Sequence, residues 1–167
     1  MSIGNVFKIS IRPYALYFLK TLSEYYDIYV FTSATKKYAK AAIAKLNTKG
    51  NTSQSFIKDF LSREDCFETA KEKFIKDLRV VQNRELKDMV IIDNLVESFG
   101  LQLNNGIPIL EFDGKEKDNS LFTLIPFLKE LSSVEDVRPV LKKKYNLEAL
   151  GSLQHREVEI YLESLAS

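Results

Sequence analysis

The chain has 167 residues, 45% hydrophobic and 28% charged, which is enough for one domain with a core that needs no staples. A formal net charge of +1 gives no global attraction to nucleic acid or to an anionic membrane, so no direct nucleic-acid partner is expected. One cysteine excludes an internal disulfide framework, and no apolar run reaches the roughly 18 residues that a membrane-spanning helix needs.

Val6–Ile11 alternates apolar and polar residues and predicts a half-buried strand. Arg12–Pro13 ends it, and Pro13 suits the first turn of a helix over Tyr14–Tyr25. In that helix Ala15, Leu16, Phe18, Leu19 and Leu22 share one face. Ile28–Phe31 is short and wholly apolar, as in a parallel-sheet strand buried on both faces. Thr32–Ser33 follows it, and Thr35 is placed to cap a second helix running to about Leu46.

Asn47–Ser55 reads as a loop, and Phe56–Leu61 is ambiguous between strand and helical turn. Arg63–Lys73 is charged and irregular, and Phe74–Leu78 predicts a strand edge with its lysine exposed. Met89–Ile92 and Gly106–Ile109 are further apolar runs, the first ending in Asp93–Asn94. Leu121–Leu131 reads as a helix with Pro126 as a bend or first-turn residue. Val134–Leu147, capped by Ser133 with Asp136 three positions later, and Leu153–Leu165 read as C-terminal helices, with Gly151 as the break. The alternation of strands and helices predicts an α/β fold with a parallel sheet. The tetrapeptide FIKD occurs at Phe56–Asp59 and at Phe74–Asp77, a coincidence rather than a repeat.

In such sheets ligands bind beyond the carboxyl ends of the strands. Two strands end in suitable groups, Thr32–Ser33 and Asp93–Asn94. A carboxylate there binds Mg²⁺, a hydroxyl meets a phosphate oxygen, and a lysine neutralises developing charge. The same groups also serve as plain helix caps. Lys36–Lys37 and Lys142–Lys144 read as solvated helix faces, Cys66 as a buried thiol and His155, the only histidine, as an exposed imidazole without a nucleophile motif. The N-terminus carries no secretory signal pattern, so an intracellular protein is expected.

The wording of the motifs is more specific than their spacing. Arg12–Ala39 (RPYALYFLKTLSEYYDIYVFTSATKKYA), Arg63–Cys66 (REDC), Phe74–Leu78 (FIKDL), Ile91–Gly114 (IIDNLVESFGLQLNNGIPILEFDG), Leu121–Leu131 and Val134–Leu141 occur in order. Over about Phe7–Lys144 the chain resembles the RNA polymerase II CTD phosphatase and NLI-interacting-factor family of the haloacid dehalogenase superfamily. The resemblance implies a Rossmann-like parallel sheet, a phosphatase-like domain over 1–147 and a helical extension over 148–167. It implies that Thr32, with Ser33, binds the transferring phosphoryl group and that Lys76 stabilises phosphate and nucleophile. Lys76 is preferred to Lys58 because it lies between the REDC block and the IIDN strand. The resemblance also implies that Asp93 binds Mg²⁺, with Asn94 as its neighbour in the site. The implied reaction is attack by an aspartate on a phosphoserine or phosphothreonine protein substrate, followed by hydrolysis of the aspartyl phosphate.

The family nucleophile belongs to an Asp-x-Asp-x-Thr/Val motif on a central first strand, tens of residues before the RP block. Eleven residues precede Arg12 here, and no two of the nine aspartates are separated by one residue. The expectation is therefore a site without its attacking group and negligible turnover from these residues. Three readings follow: a piece of an active enzyme, a degenerate protein in which Val6–Ile11 fills the gap, or a partner that donates the strand. The intact remainder favours the first. The alternative function is a pseudophosphatase that binds a protein partner, since Val134–Tyr145 is similar to the mitochondrial inner-membrane translocase subunit that receives presequences. The FTSAT and IIDN wording favours the phosphatases, and with them a nuclear or cytoplasmic place over a mitochondrial one.

Overall fold

A computed structural model describes residues 9–50, 55–71, 73–114 and 117–152. It is a mixed α/β structure with small parallel sheets, in two compact units. The first comprises Met1–Glu64 and Phe112–Ile125, the second Asp65–Glu111 and Pro126–Ser167.

In the first unit, helix α1 (Ala15–Leu22) buries Phe18 and Leu22. It begins two residues after Pro13, and Tyr14 precedes it in the left-handed region at φ 62°. Arg12 anchors this entry: its guanidinium meets Asp118 at 2.8 Å and the Ser120 hydroxyl at 3.0 Å, and lies 5.7 Å from the centre of the Phe112 ring. Strand β1 (Ile28–Phe31) is followed by α2 (Lys36–Lys49), which Thr35 caps as expected by accepting the Tyr38 amide. Phe56–Leu61 resolves as a strand, β2 (Ile57–Leu61), parallel to β1 with Phe31 opposite Leu61. β1 is not buried on both faces: its four residues are half-buried or exposed, with Tyr29 44% accessible. The expected strand over Val6–Ile11 falls partly outside the described residues. Its described part, Ile9–Ile11, is not a strand, and the Ile9 carbonyl accepts a hydrogen bond from Lys45 Nζ.

The second unit opens with a 3₁₀ turn's last residue and a short antiparallel hairpin: β3 (Phe67–Glu68) lies where an irregular stretch was expected, and β4 (Phe74–Ile75) in the expected strand over Phe74–Leu78. Strand β5 (Ile91–Asp93) runs parallel to β6 (Gly106–Pro108), joined by 3₁₀ turns over Val96–Asn105 that are kinked at Phe99 and Gln102. β5 starts two residues later than its apolar run suggests, because the Met89 carbonyl accepts from Asn105 Nδ2 at 2.8 Å. Phe99, Ile107, Leu131 and Leu141 are almost fully buried and form the centre of this unit's core.

Helix α3 (Ser120–Leu131) spans the passage from one unit to the other, with Pro126 in its interior rather than in its first turn. Helix α4 (Val137–Tyr145) packs on β6 and the Val96–Asn105 turns. Its cap is Asp136, not Ser133, whose hydroxyl instead donates back to the Glu130 carbonyl. Pro139 explains the later start. In a helix beginning at Val134 it would remove an interior hydrogen bond, whereas from Val137 it falls within the first turn. The expected helix over Leu153–Leu165 and His155 lie outside the described residues, and Cys66 is half-buried rather than buried. Among the described residues no helix is long and apolar enough to cross a membrane.

Gly106 is where β6 meets the core most closely. A Cβ there would stand 2.0 Å from the Phe99 ring, which is itself fully buried and has nowhere to move. Gly106→Ala should therefore lower unfolding stability by about 1–3 kcal/mol. Urea denaturation checks this, and an unchanged midpoint would show that the Phe99 ring has room to yield.

Candidate functional site

Asp93 is the last residue of β5, where the chain leaves the sheet. Its Oδ1 accepts the Leu95 amide at 2.8 Å, a local turn that fixes the carboxylate, and its Oδ2 pairs with Lys76 Nζ. Both side chains are buried, 8% and 11% accessible. The expectation of an exposed Lys76 at a strand edge is thus corrected. A strand edge over Phe74–Leu78 would have left the lysine exposed, but β4 ends at Ile75 and Lys76 turns inward to a carboxylate from another strand. An isolated charge in such a place is very costly, so each member of the pair holds the other there.

The backbone around the pair is pinned by residues that the sequence reading missed. The Lys76 amide donates to the Ser98 carbonyl at 2.6 Å. Gln102, also buried, grips the next two residues: its Oε1 accepts the Leu78 amide at 3.1 Å and its Nε2 donates to Asp77 Oδ1 at 2.9 Å. Asp77 in turn receives the Arg79 guanidinium at 2.6 Å. Arg79, helped by Gln102, pulls the Asp77 carboxyl down to about 2 from an ordinary 3.8. Asn105 donates to the Leu86 and Met89 carbonyls and so sets the approach to β5. A buried Gln or Asn carries no motif of its own, and only its distant backbone partners reveal its role.

Lys58, the lysine of the other FIKD copy, is 63% accessible and lies 3.4 Å from Asp27 in an exposed pair. In the first unit Thr32 and Ser33 follow β1. The Thr32 amide extends the β1–β2 ladder to the Leu61 carbonyl at 3.0 Å, and its hydroxyl accepts the Ala34 amide at 3.1 Å. The structure thus joins Lys76 to Asp93 in the second unit and places Thr32 and Ser33 together at the end of a strand in the first. Asn94 is half-buried directly after Asp93.

The donor set fits one kind of Mg²⁺ site. Among the described residues no three His, Cys, Asp or Glu side chains converge as a cage. Mg²⁺, however, commonly keeps several waters and takes one or two carboxylates plus substrate phosphate oxygens. Asp93 suits that sparing role, in which the ion would compete with Lys76 for Oδ2.

Residues 3–138 match the sequence model of the NLI interacting factor-like phosphatases. The chain belongs to this family. It is 38% identical over 141 residues to CTD small phosphatase-like protein 2 of Dictyostelium discoideum, covering 84% of this chain and 24% of that protein. It is 42% identical over 150 residues to the mitochondrial import inner membrane translocase subunit TIM50 of Candida glabrata, covering 89% of this chain and 30% of that protein. The chain therefore spans about a quarter to a third of the length of these two relatives. Among solved structures, beryllium-fluoride-bound fission yeast RNA polymerase II CTD phosphatase Fcp1 aligns with a TM-score of 0.49 at 21% identity, over 92% of this chain and 46% of that one. The family read from the Arg12–Ala39 and Ile91–Gly114 motifs is the one that matches.

Two outcomes test the site's construction. Asp93→Asn leaves Lys76 buried beside a neutral group and should cost about 3–5 kcal/mol of stability. Adding Lys76→Met should recover much of that loss in urea denaturation, and no recovery would mean that the pair's charge is not what matters. Asp77, whose folded pKa is depressed, contributes stability above pH about 3.8 that disappears as pH falls through about 2. Asp77→Asn should therefore flatten the fall in denaturation midpoint between pH 4 and 2, and an unaltered slope would refute the role of the Arg79 contact.

Proposed function

We propose that Thr32, Ser33, Lys76, Asp93 and Asn94 are the phosphate- and metal-holding part of a Mg²⁺-dependent protein phosphatase acting on phosphoserine or phosphothreonine. The buried Lys76–Asp93 pair at the end of β5 carries this reading. A buried ion pair is often no more stabilising than an apolar pair of the same size, so one held at a strand end fits a role toward a charged ligand better than a role in stability. The Thr32 hydroxyl and the Ser33 backbone would donate to the phosphoryl oxygens, and Lys76 would offset their charge. Magnesium, when bound, supplies further neutralisation of the phosphoryl group.

The nucleophile of this chemistry is the first aspartate of an Asp-x-Asp-x-Thr/Val motif, and no pair of aspartates among these 167 residues has that spacing. The residues described should accordingly bind phosphate without turning over a phosphomonoester. A protein-binding function is the second reading, supported by the 42% identity to a translocase subunit. It would use surface rather than the buried pair, with a targeting presequence as the natural probe.

Amide NMR of the 167-residue chain separates the two. With Mg²⁺ present, inorganic phosphate should shift the Thr32–Ser33 and Asp93–Leu95 amides saturably, and Lys76→Met should weaken that binding roughly tenfold or more, in line with loss of a charge-assisted hydrogen bond. Aryl phosphate should remain unhydrolysed. If phosphate produces no saturable shift while a presequence peptide does, the phosphatase reading falls and the binding-module reading replaces it.

A further inference from the structure

The loop that carries Thr32 is held from one side by three consecutive residues. β2 ends at Leu61 beside Thr32, and the chain then turns through Ser62, Arg63 and Glu64. The Arg63 amide donates to the Ala34 carbonyl at 2.9 Å, and Arg63 Nε donates to the Ser33 carbonyl at 2.8 Å. Ser62, only 2% accessible, donates its hydroxyl to Glu64 Oε2 at 2.5 Å. That bond first, then Glu64's own amide and to a smaller extent Lys36, keep the Glu64 carboxyl below its ordinary range. Lys36 is the first residue of α2, and its amide is one of the donors that a helix start leaves without an internal partner.

The Thr32–Ala34 part of the Thr32–Lys36 loop is thereby held at successive residues. Its entry is bonded to Leu61 and two successive carbonyls to Arg63, while at its exit Lys36 attracts the Glu64 carboxylate. Within the loop the Ala34 amide sits on the Thr32 hydroxyl, so displacing Ala34 would displace that hydroxyl. Holding two carbonyl oxygens on donors also offsets their negative ends beside a place proposed for an anion. None of these bonds is needed for the β1–β2 ladder itself, which closes at Thr32 and Leu61.

We infer that Ser62–Arg63–Glu64 is a positioning brace for the Thr32 hydroxyl, with Arg63 acting through the Ser33 carbonyl rather than as a charge on the phosphate. The inference rests on the function proposed above for Thr32. Its test compares amide exchange, phosphate binding and thermal midpoint in the unaltered 167-residue chain, Arg63→Gln, Arg63→Lys and Glu64→Ala. In Arg63→Gln the Thr32, Ala34 and Lys36 amides should exchange roughly tenfold faster and phosphate should bind roughly tenfold more weakly, the scale of one lost hydrogen bond. The thermal midpoint should barely move. Arg63→Lys should behave like Arg63→Gln, because lysine restores the charge but not the directed Nε–H. Glu64→Ala should loosen the Lys36 amide and weaken phosphate binding in the same way.

Unchanged exchange in Arg63→Gln overturns the brace. So does faster exchange with undiminished phosphate binding, and so does full rescue by Arg63→Lys, which would make Arg63 a bare charge. The exchange comparison needs no ligand. If the unaltered chain fails to bind phosphate, the proposed function fails together with the brace's purpose, and exchange alone still shows whether the brace exists.

Discussion

Lys76 and Asp93 lie in segments far apart in sequence, and neither could be buried without the other. Taking two such charges out of water costs several kcal/mol each, and their mutual attraction offsets that cost only if their geometry is held. Much of the second unit can be understood as what holds it. Gln102 fixes the residues immediately after Lys76, Ser98 takes the Lys76 amide, and Asn105 sets the start of β5. Three of the pinning residues thus come from one kinked stretch, Val96–Asn105, whose departures from helical geometry fall at Phe99 and Gln102. Phe99 closes the core at Gly106, while Gln102 turns its amide toward Asp77 and Leu78.

The first unit uses a different arrangement for a comparable purpose. Its strand-end residues are hydroxyls rather than charges, so no ion pair fixes them. Backbone hydrogen bonds do so instead, from β2 and the turn that follows it. The contrast follows from side-chain chemistry. A buried lysine and aspartate locate one another by charge, whereas a threonine hydroxyl is only as well placed as its own main chain.

What could be read from the sequence was what depends on local chemistry. Thr35 announces the start of α2, and the apolar runs at Ile28, Met89 and Gly106 announce β1, β5 and β6. The order of motifs identified the family. What escaped depended on partners distant in the chain. Phe56–Leu61 became a strand because β1 offered a parallel edge, and its own residues did not decide it. FIKDL suggested an edge strand with an exposed lysine, but a carboxylate seventeen residues away drew that lysine inside. The start of α4 was a local error, since Pro139 was visible and outweighs the better-placed Ser133 as a boundary signal. Of the candidate site, the charged and hydroxyl groups carried recognisable wording. Ser98, Gln102 and Asn105 did not, because amides and hydroxyls that serve the backbone have no pattern apart from the fold they serve.

The chain enters its second unit at Asp65, returns to the first at Phe112 and leaves it again inside α3. Arg12 therefore waits for Ser120, 108 residues further along, before its Nη2 has both of its partners, Asp118 and Ser120. At a synthesis rate of about 5–20 residues per second that interval is roughly 5–20 s. Throughout it, the segment around Arg12 carries a cation whose partners are not yet made. The first unit can therefore reach its final packing only after the Asp65–Glu111 part of the second has left the ribosome, so the order of synthesis is not the order of completion.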